Sequence, residues 1–473
     1  MTVSENPTLA SAAKSESNAL FQRIVSVYVR DGDREVISKH YHGVHVEWSQ
    51  VVDAADETHS FGGYKRCLTA SPFVAWEVER DDGLRLGVVT KGDVTDPFDL
   101  YFIGLMLSIA SVPTVASVDA QTDAVVRKIA DLYEVQLKNT APGDKWDVGR
   151  AYFESVVRHF VERNLPVEAV LPAFPCKSSN RDKVAGGLPD KGEELALDRL
   201  VQFVKSVREI YTPGMKIWIV SDGHVFSDCI GVDDEDVDVY SEALKNLYQE
   251  MDESDGIGFR SLVDLFDPEE FDESLVDQVE LPHHLKTNLV AKSELCRKIL
   301  MKSCDSDCGE LQRDIDTPGH PRLALYRGFS KFMTEDLAQH PSVTDLSRKQ
   351  FKKVVSRVSF EMIKRNDAYS NLVELMFPFH LRLSIHSHNN SGPKFAVRLL
   401  KDCSVIRSIE DFRQPETSDL LHVPTPWHNA IVQFEHTEKF YVVKSCHVHE
   451  GVEHGVGVAS WEEKERMFRF KLT

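Results

Sequence analysis

The stretch of residues 167–221 constrains the chain most. Residues 167–174 form a compact apolar run of strand length. Residues 193–211 then set Ala196, Leu200, Phe203, Val204, Val207 and Ile210 along one helical stripe, and residues 216–221 make a second short apolar run. Strand, helix and strand in that order predict a βαβ unit with a right-handed crossover and two parallel strands. Ligands of open α/β sheets bind beyond the carboxyl ends of such strands. Here those ends are the loops PCKSSNRDKVAGGLPD and SDGHVFSD.

Composition removes several classes of function. Across 473 residues, 55 basic against 75 acidic side chains leave a net charge of −20, which argues against a protein that grips a nucleic-acid backbone through bulk charge. Residues 1–20 carry charges and hydroxyls where a signal peptide needs an apolar run, and read as a disordered tail. The most apolar stretch, residues 102–112, is about half the roughly 20 residues needed to span a bilayer, and reads as buried core. The 8 cysteines are too scattered for a disulfide framework, so a reducing cytoplasm is the expected setting. Short β-branched runs between turn clusters predict a β-rich N-terminal segment over 21–122, and an α/β domain over 123–440 with a C-terminal extension over 441–473 packed on the core is expected to follow. The acidic residues 252–280 and the stretch 303–321 read as surface connections, and DDEDVD as the charged start of a helix.

Three polar constellations carry candidate chemistry. In the first loop Lys177, Ser178, Ser179, Asn180, Arg181 and Lys183 precede Gly186 and Gly187 and a helix N-terminus, which suits a phosphate or carboxylate cradle but lacks the P-loop spacing; a solvated polar loop fits the same composition. In the second, Asp222 ends a strand beside Gly223, with His224 and Asp228 following; catalysis and turn capping are equally open to either aspartate. In PFHLRLSIHSH, His380, Arg382, Ser384, His386 and His388 recur every second residue, so a strand would present them on one face with Leu381, Leu383 and Ile385 on the other. A helix with an apolar stripe at Phe351, Val355, Val358 and Met362 leads to that strand, and TPWH adds Trp427 and His428. Metal chemistry competes through His386 with His388, and through CHVHEGVEH with Cys446, His447, His449 and His454. Neither has the spacing of an established zinc motif. DDEDVD is no EF-hand, Cys304 and Cys308 read as surface residues, and GVGVAS lacks the third glycine of a dinucleotide fingerprint.

Read together, LPAFPCKSSNRDKVAGGLPDKGEELAL, IVSDGHVFSDCIGVDD, RNDAYSNLVELMFPFHLRLSIHSH and TPWHNAIV resemble, in order and spacing over residues 125–433, the isocyanide synthases of the pyoverdine and dityrosine biosynthesis group. The resemblance implies a Rossmann-like α/β fold, a mainly parallel sheet with helices on both faces, beside the β-rich N-terminal segment. It also implies an enzyme that needs no cofactor or metal and condenses the amine of an L-amino acid with the ketone of ribulose 5-phosphate, whose keto carbon becomes the isocyanide carbon; some relatives are thought to yield an N-formyl amino acid. On that basis His386, His428, Asp222 and Arg382 are the expected catalytic set. Lys177, Ser178, Arg181, Asp228, Ser384 and Trp427 are expected to bind substrate. Partners would be these small molecules, with no nucleic acid and no membrane, and an iron- and 2-oxoglutarate-dependent oxygenase or a cytochrome P450 downstream. A metal-dependent hydrolase and a non-catalytic binding protein are the competing classes. The N-terminal segment, the tail after Gln433 and Cys176 depart from the minimal pattern of the group.

Overall fold

A computed structural model describes residues 19–46, 58–61, 64–68, 72–109, 122–140, 143–251, 255–305, 307–386, 388–412 and 424–473. The tail expected over 1–20 lies almost wholly outside them, as does the end of the apolar run, 110–112. The first sheet is antiparallel. It contains β1 (Ile24–Asp31), β2 (Arg34–His40), β3 (Thr58–Phe61), β4 (Tyr64–Leu68), β5 (Phe73–Glu79) and β6 (Arg85–Lys91), in the order β2-β1-β6-β5-β4-β3. Gly32, at φ +52°, turns β1 into β2, a conformation that costs a residue without a Cβ little. The sheet leaves β2 as an edge strand, and Tyr41 just beyond it donates from Oη to the carbonyl of Glu374 at 3.1 Å, tying this edge to the rest of the molecule. Phe98, Phe102, Ile103 and Met106 of the helix Pro97–Ile109 are buried, so the apolar run is core where it is described; among the described residues no helix is long and apolar enough to cross a membrane.

The predicted βαβ unit forms the centre of the second sheet. β7 (Val167–Pro172) and β8 (Met215–Val220) pair in parallel, and the helix Lys191–Ile210 between them buries Ala196, Leu200, Phe203, Val204 and Val207. That helix starts at a capping box: the Asp190 side chain accepts from the Gly192 N–H, and the Glu193 carboxylate accepts from the Asp190 N–H. β9 (Ile257–Arg260), β10 (Leu381–Ser384) and β11 (Lys394–Ala396) complete the order β11-β10-β7-β8-β9, with every neighbouring pair parallel and helices flanking the sheet. Burial on both faces is what makes β7 and β8 largely apolar runs. The helix Arg348–Met376 buries Val355, Val358 and Met362, and Tyr369 on it donates to the carbonyl of Val220 at 2.9 Å, fixing it against the end of β8.

Two expected connections are regular elements instead. β9 lies inside the acidic stretch 252–280, and a helix, Cys308–Asp316, capped by the Asp307 side chain, lies inside 303–321. Cys304 is fully buried at the end of the helix Ala291–Cys304 rather than in a surface loop, while Cys308 is exposed. The helix Asp234–Met251 does begin in DDEDVD. The third sheet holds β12 (Ser404–Val405), β13 (Ala430–Phe434), β14 (Phe440–Val443), β15 (Gly457–Glu462) and β16 (Met467–Leu472), in the order β12-β14-β13-β16-β15. Because β13 pairs with both β14 and β16, residues 441–473 are hydrogen-bonded into the sheet that carries TPWH at its entrance. GVGVAS runs into strand β15, which starts at its second glycine, Gly457.

Candidate active site

β10 carries the alternation only as far as it is a strand. Leu381 and Leu383 are buried on one side, and Arg382 points to the other. Past Ser384 the chain bends: the His386 N–H donates to Ser384 Oγ at 3.2 Å, and His388 Nε2 lies 3.0 Å from the same oxygen. His386 and His388 thus reach the end of the sheet through a bend around one hydroxyl, rather than along one flat strand face. His386 is exposed as a residue, yet the protein packed around its imidazole and the Lys394 ammonium lower its pKa. Burial, helped by His386, Lys394 and Arg382, pushes His388 down to about 4. Both imidazoles are therefore neutral near pH 7 and able to accept a proton. His380, at the opposite end of β10, sits 2.9 Å from Glu168.

Arg382 has no hydrogen bond or ion pair among the described residues, and its Nη1 is buried without a partner. Burial lowers its pKa to about 10, opposed by Glu374 and Tyr369, so it stays charged at neutral pH. A buried guanidinium donor left unpaired costs about 1–3 kcal/mol or more, a cost that an anionic ligand would remove. It lines a cavity of about 720 Å³.

The loops after β7 and β8 are packed against each other at the same sheet end. Phe174 turns out of β7 at φ +59°, a strained conformation for a bulky residue, and its ring lies 5.1 Å from that of buried Trp427. Ser221 Oγ donates to the Phe174 carbonyl at 3.1 Å. At Gly223 a Cβ would come within 2.4 Å of the Pro175 carbonyl, so only glycine lets the loops approach this closely. Between them Asp222 has a buried Oδ1 with no partner, and burial pushes its pKa up to about 6. A carboxyl titrating near neutrality beside a polar strand end is a candidate proton donor or acceptor.

Two expected binding residues are committed elsewhere. Lys177 Nζ lies 2.8 Å from both Asp190 and Glu193 and donates to the Pro426 carbonyl at 3.0 Å, which occupies all three of its donors. It clamps the loop, the helix N-terminus and TPWH together and leaves nothing for a phosphate. Asp228 is fully buried, 2.6 Å from Arg365 and 3.0 Å from His283. Burial alone would raise its pKa, but the His283 hydrogen bond and Arg365 hold it well below the usual carboxylate range. It belongs to an internal ion network with Arg297 and Asp234. Trp427 likewise serves as a buried wall.

Ser178 Oγ and Lys183 Nζ both donate to Asp336 Oδ1, at 2.7 and 2.9 Å, leaving Asp336 Oδ2 buried without a partner. His428 faces the same charges: burial, with Lys183 and Lys177 adding to it and Asp336 opposing, pushes it to about 4, and its Nδ1 is also buried and unpartnered. Asp336, at the end of the helix Pro321–Asp336, had no signal in the sequence, because it meets Ser178 across 158 residues. Arg181 is exposed and makes no side-chain hydrogen bond or ion pair among the described residues. In CHVHEGVEH the helix Ser445–Glu453 brings Cys446, His447 and Glu450 within 4.8 Å of one another. His449 instead packs on Phe468, and His454 bonds the Glu450 carbonyl.

Fold and site together define an α/β protein whose parallel sheet gathers a buried carboxyl and a buried guanidinium without partners and two imidazoles of lowered pKa. Comparison with known proteins narrows this. A family model described as "Pyoverdine/dityrosine biosynthesis protein" matches residues 157–455. The chain is 47% identical over 399 residues to the spore wall maturation protein DIT1 of Saccharomyces cerevisiae, covering 82% of this chain and 74% of that protein. It is 32% identical over 295 residues to the L-tryptophan isonitrile synthase AmbI2 of Fischerella ambigua, covering 62% of this chain and 75% of that one. The crystal structure of the PvcA protein from Pseudomonas aeruginosa superposes with a TM-score of 0.58 at 24% identity, over 74% of this chain and 100% of that one. The chain belongs to the pyoverdine/dityrosine biosynthesis family.

Proposed function

We propose that the protein is an isocyanide synthase, converting the amine of an L-amino acid to an isocyanide with ribulose 5-phosphate as the carbon donor. Family membership and several relatives named isonitrile or isocyanide synthases, at about 30% identity, support the general activity. The observation that carries it in this chain is the end of β10, where unpaired Arg382, Ser384 and the neutral His386 stand at the carboxyl edge of the parallel sheet that also presents Asp222. Imine formation needs a neutral amine and the loss of water. His386 removes the ammonium proton, and Asp222, half-protonated near pH 6, returns one to the departing hydroxyl. Arg382, a buried cation without a partner, holds an anionic group of the bound substrate beside these proton donors and acceptors. Ser384 Oγ accepts from the His386 backbone N–H and contacts the His388 imidazole, which holds the bend that carries both residues.

A second reading concerns only the released product. Adding water to an isocyanide yields the N-formyl amine, so a formamide is the alternative product on the same site. Incubation of the purified chain with a panel of L-amino acids and ribulose 5-phosphate, followed by mass spectrometry, tests both. The isocyanide, or the formamide one water heavier, is expected; neither product from any amino acid would sink the proposal.

A further inference from the structure

The cavity beside Arg382 is built from two parts of the chain that the family model separates. One wall is the edge strand β2 of the N-terminal sheet, with Lys39 and, just beyond it, Tyr41. The other is β10 with Arg382 and the last turn of the helix Arg348–Met376 with Glu374. Residues 157–455 match the family, so Lys39 lies outside the matched segment and Glu374 and Arg382 inside it. Among the described residues none of these three charged side chains makes a hydrogen bond or an ion pair. Arg382 Nη1 is moreover buried without a partner. They are near enough to act on one another: Glu374 and Arg382 pull the Lys39 ammonium in opposite directions, with burial lowering its pKa further than either. Two cations and the single acid near both, with no ion pair formed between them, face a cavity of about 720 Å³ that also exposes the rings of Tyr41, Tyr152 and Phe377. His159, which burial pushes to about 3, adds a neutral ring to the same wall.

That inventory complements a zwitterion. A carboxylate between Lys39 and Arg382 would satisfy both cations, an ammonium would satisfy Glu374, and the rings would bury a large apolar side chain. A phosphate monoester would satisfy the cations but leave Glu374 facing a like charge. We propose that the N-terminal sheet completes the amino-acid site of this enzyme: Lys39 and Arg382 hold the α-carboxylate, and Glu374 the α-ammonium, of a large apolar or aromatic amino acid lodged in this cavity. Lys39 and Glu374 are binding residues in this assignment, and it rests on the proposed function for the identity of the substrate.

Calorimetric titration of the full chain tests it without turnover, with L-tyrosine, L-tryptophan, phenylpropanoic acid and ribulose 5-phosphate as separate probes. Lys39→Met should weaken the amino acids by about 10-fold or more and leave ribulose 5-phosphate unchanged, while Lys39→Arg, which keeps the cation, restores most of the binding. Glu374→Gln should weaken the amino acids but not phenylpropanoic acid, which lacks the amine. Lys91→Met, an exposed lysine of β6 in the same sheet, should change nothing and controls for damage to the sheet. Amino-acid binding unaffected by Lys39→Met, or a loss confined to ribulose 5-phosphate, overturns the assignment. Because the readout is binding, a chain that binds amino acids through Lys39 yet makes no isocyanide refutes the proposed function alone. A Lys39→Met variant that forms product with an unchanged KM for the amino acid refutes this inference alone.

Discussion

Asp222 should be a residue whose removal stabilises the fold while abolishing the reaction. Its buried, unpartnered Oδ1 and its rise from 3.8 to about 6 mean that the folded state holds the neutral acid better than the carboxylate. A shift of about 2 pH units at about 1.36 kcal/mol each amounts to roughly 3 kcal/mol of destabilisation as an upper figure. The folded pKa lies above the unfolded one. The penalty is therefore absent below about pH 4, grows as pH rises through about 6, and is complete above that. Asp222→Asn keeps the shape and cannot ionise. Its melting midpoint should exceed that of the native chain at about pH 8, with the difference shrinking towards pH 4.5, while turnover falls at least about 100-fold. Thermal melts across that pH range, beside product assays, give both readings. A difference that does not change with pH, or a variant less stable at pH 8, would show that Asp222 is not carrying a buried charge.

The remaining expectations are narrower. Lys177→Ala leaves Asp190 and Glu193 buried without their cation and should cost about 3–5 kcal/mol, seen as a large drop in melting midpoint. Arg181→Ala, at an exposed side chain, should stay within about 0.5 kcal/mol, and a raised ribulose 5-phosphate KM in that variant would place the phosphate near it. His386→Gln alters an exposed residue, so the melt should be unchanged while turnover falls about 100-fold; normal turnover would transfer the proton role to His428. Chelator should leave turnover intact, and activity lost to chelator and restored by zinc would direct attention to Cys446, His447 and Glu450.

The central βαβ unit was legible because parallel strands are buried on both faces and their helix carries a stripe, two patterns that survive in one sequence. β9 was not, since its four residues follow an acidic run and include Gly258 and Arg260, which mask a short edge strand. The helix Cys308–Asp316 was hidden by the Asp307 cap and Gly309, which read as loop. In the site, the polar end of β10 and Asp222 were visible as polar residues at strand termini. Lys177 was misassigned for an instructive reason: a lysine at a strand end suits a phosphate, but the capping acids Asp190 and Glu193, in the same motif, are close enough in space to claim it. Asp336, Lys39 and Glu374 reach their places across long stretches of chain, and no local spacing announces such contacts.

If this sheet end moves a sugar carbon onto an amine, an isotope placed in the sugar must appear in the product. Ribulose 5-phosphate carrying a heavy carbon isotope at its keto position would be incubated with the purified chain and the amino acid that calorimetry selects. An isocyanide or formamide one mass unit heavier is expected, with the label on the carbon bound to nitrogen, formed by the native chain and lost in the His386→Gln and Asp222→Asn variants. Unlabelled product, or labelled product formed equally well by both variants, would contradict it.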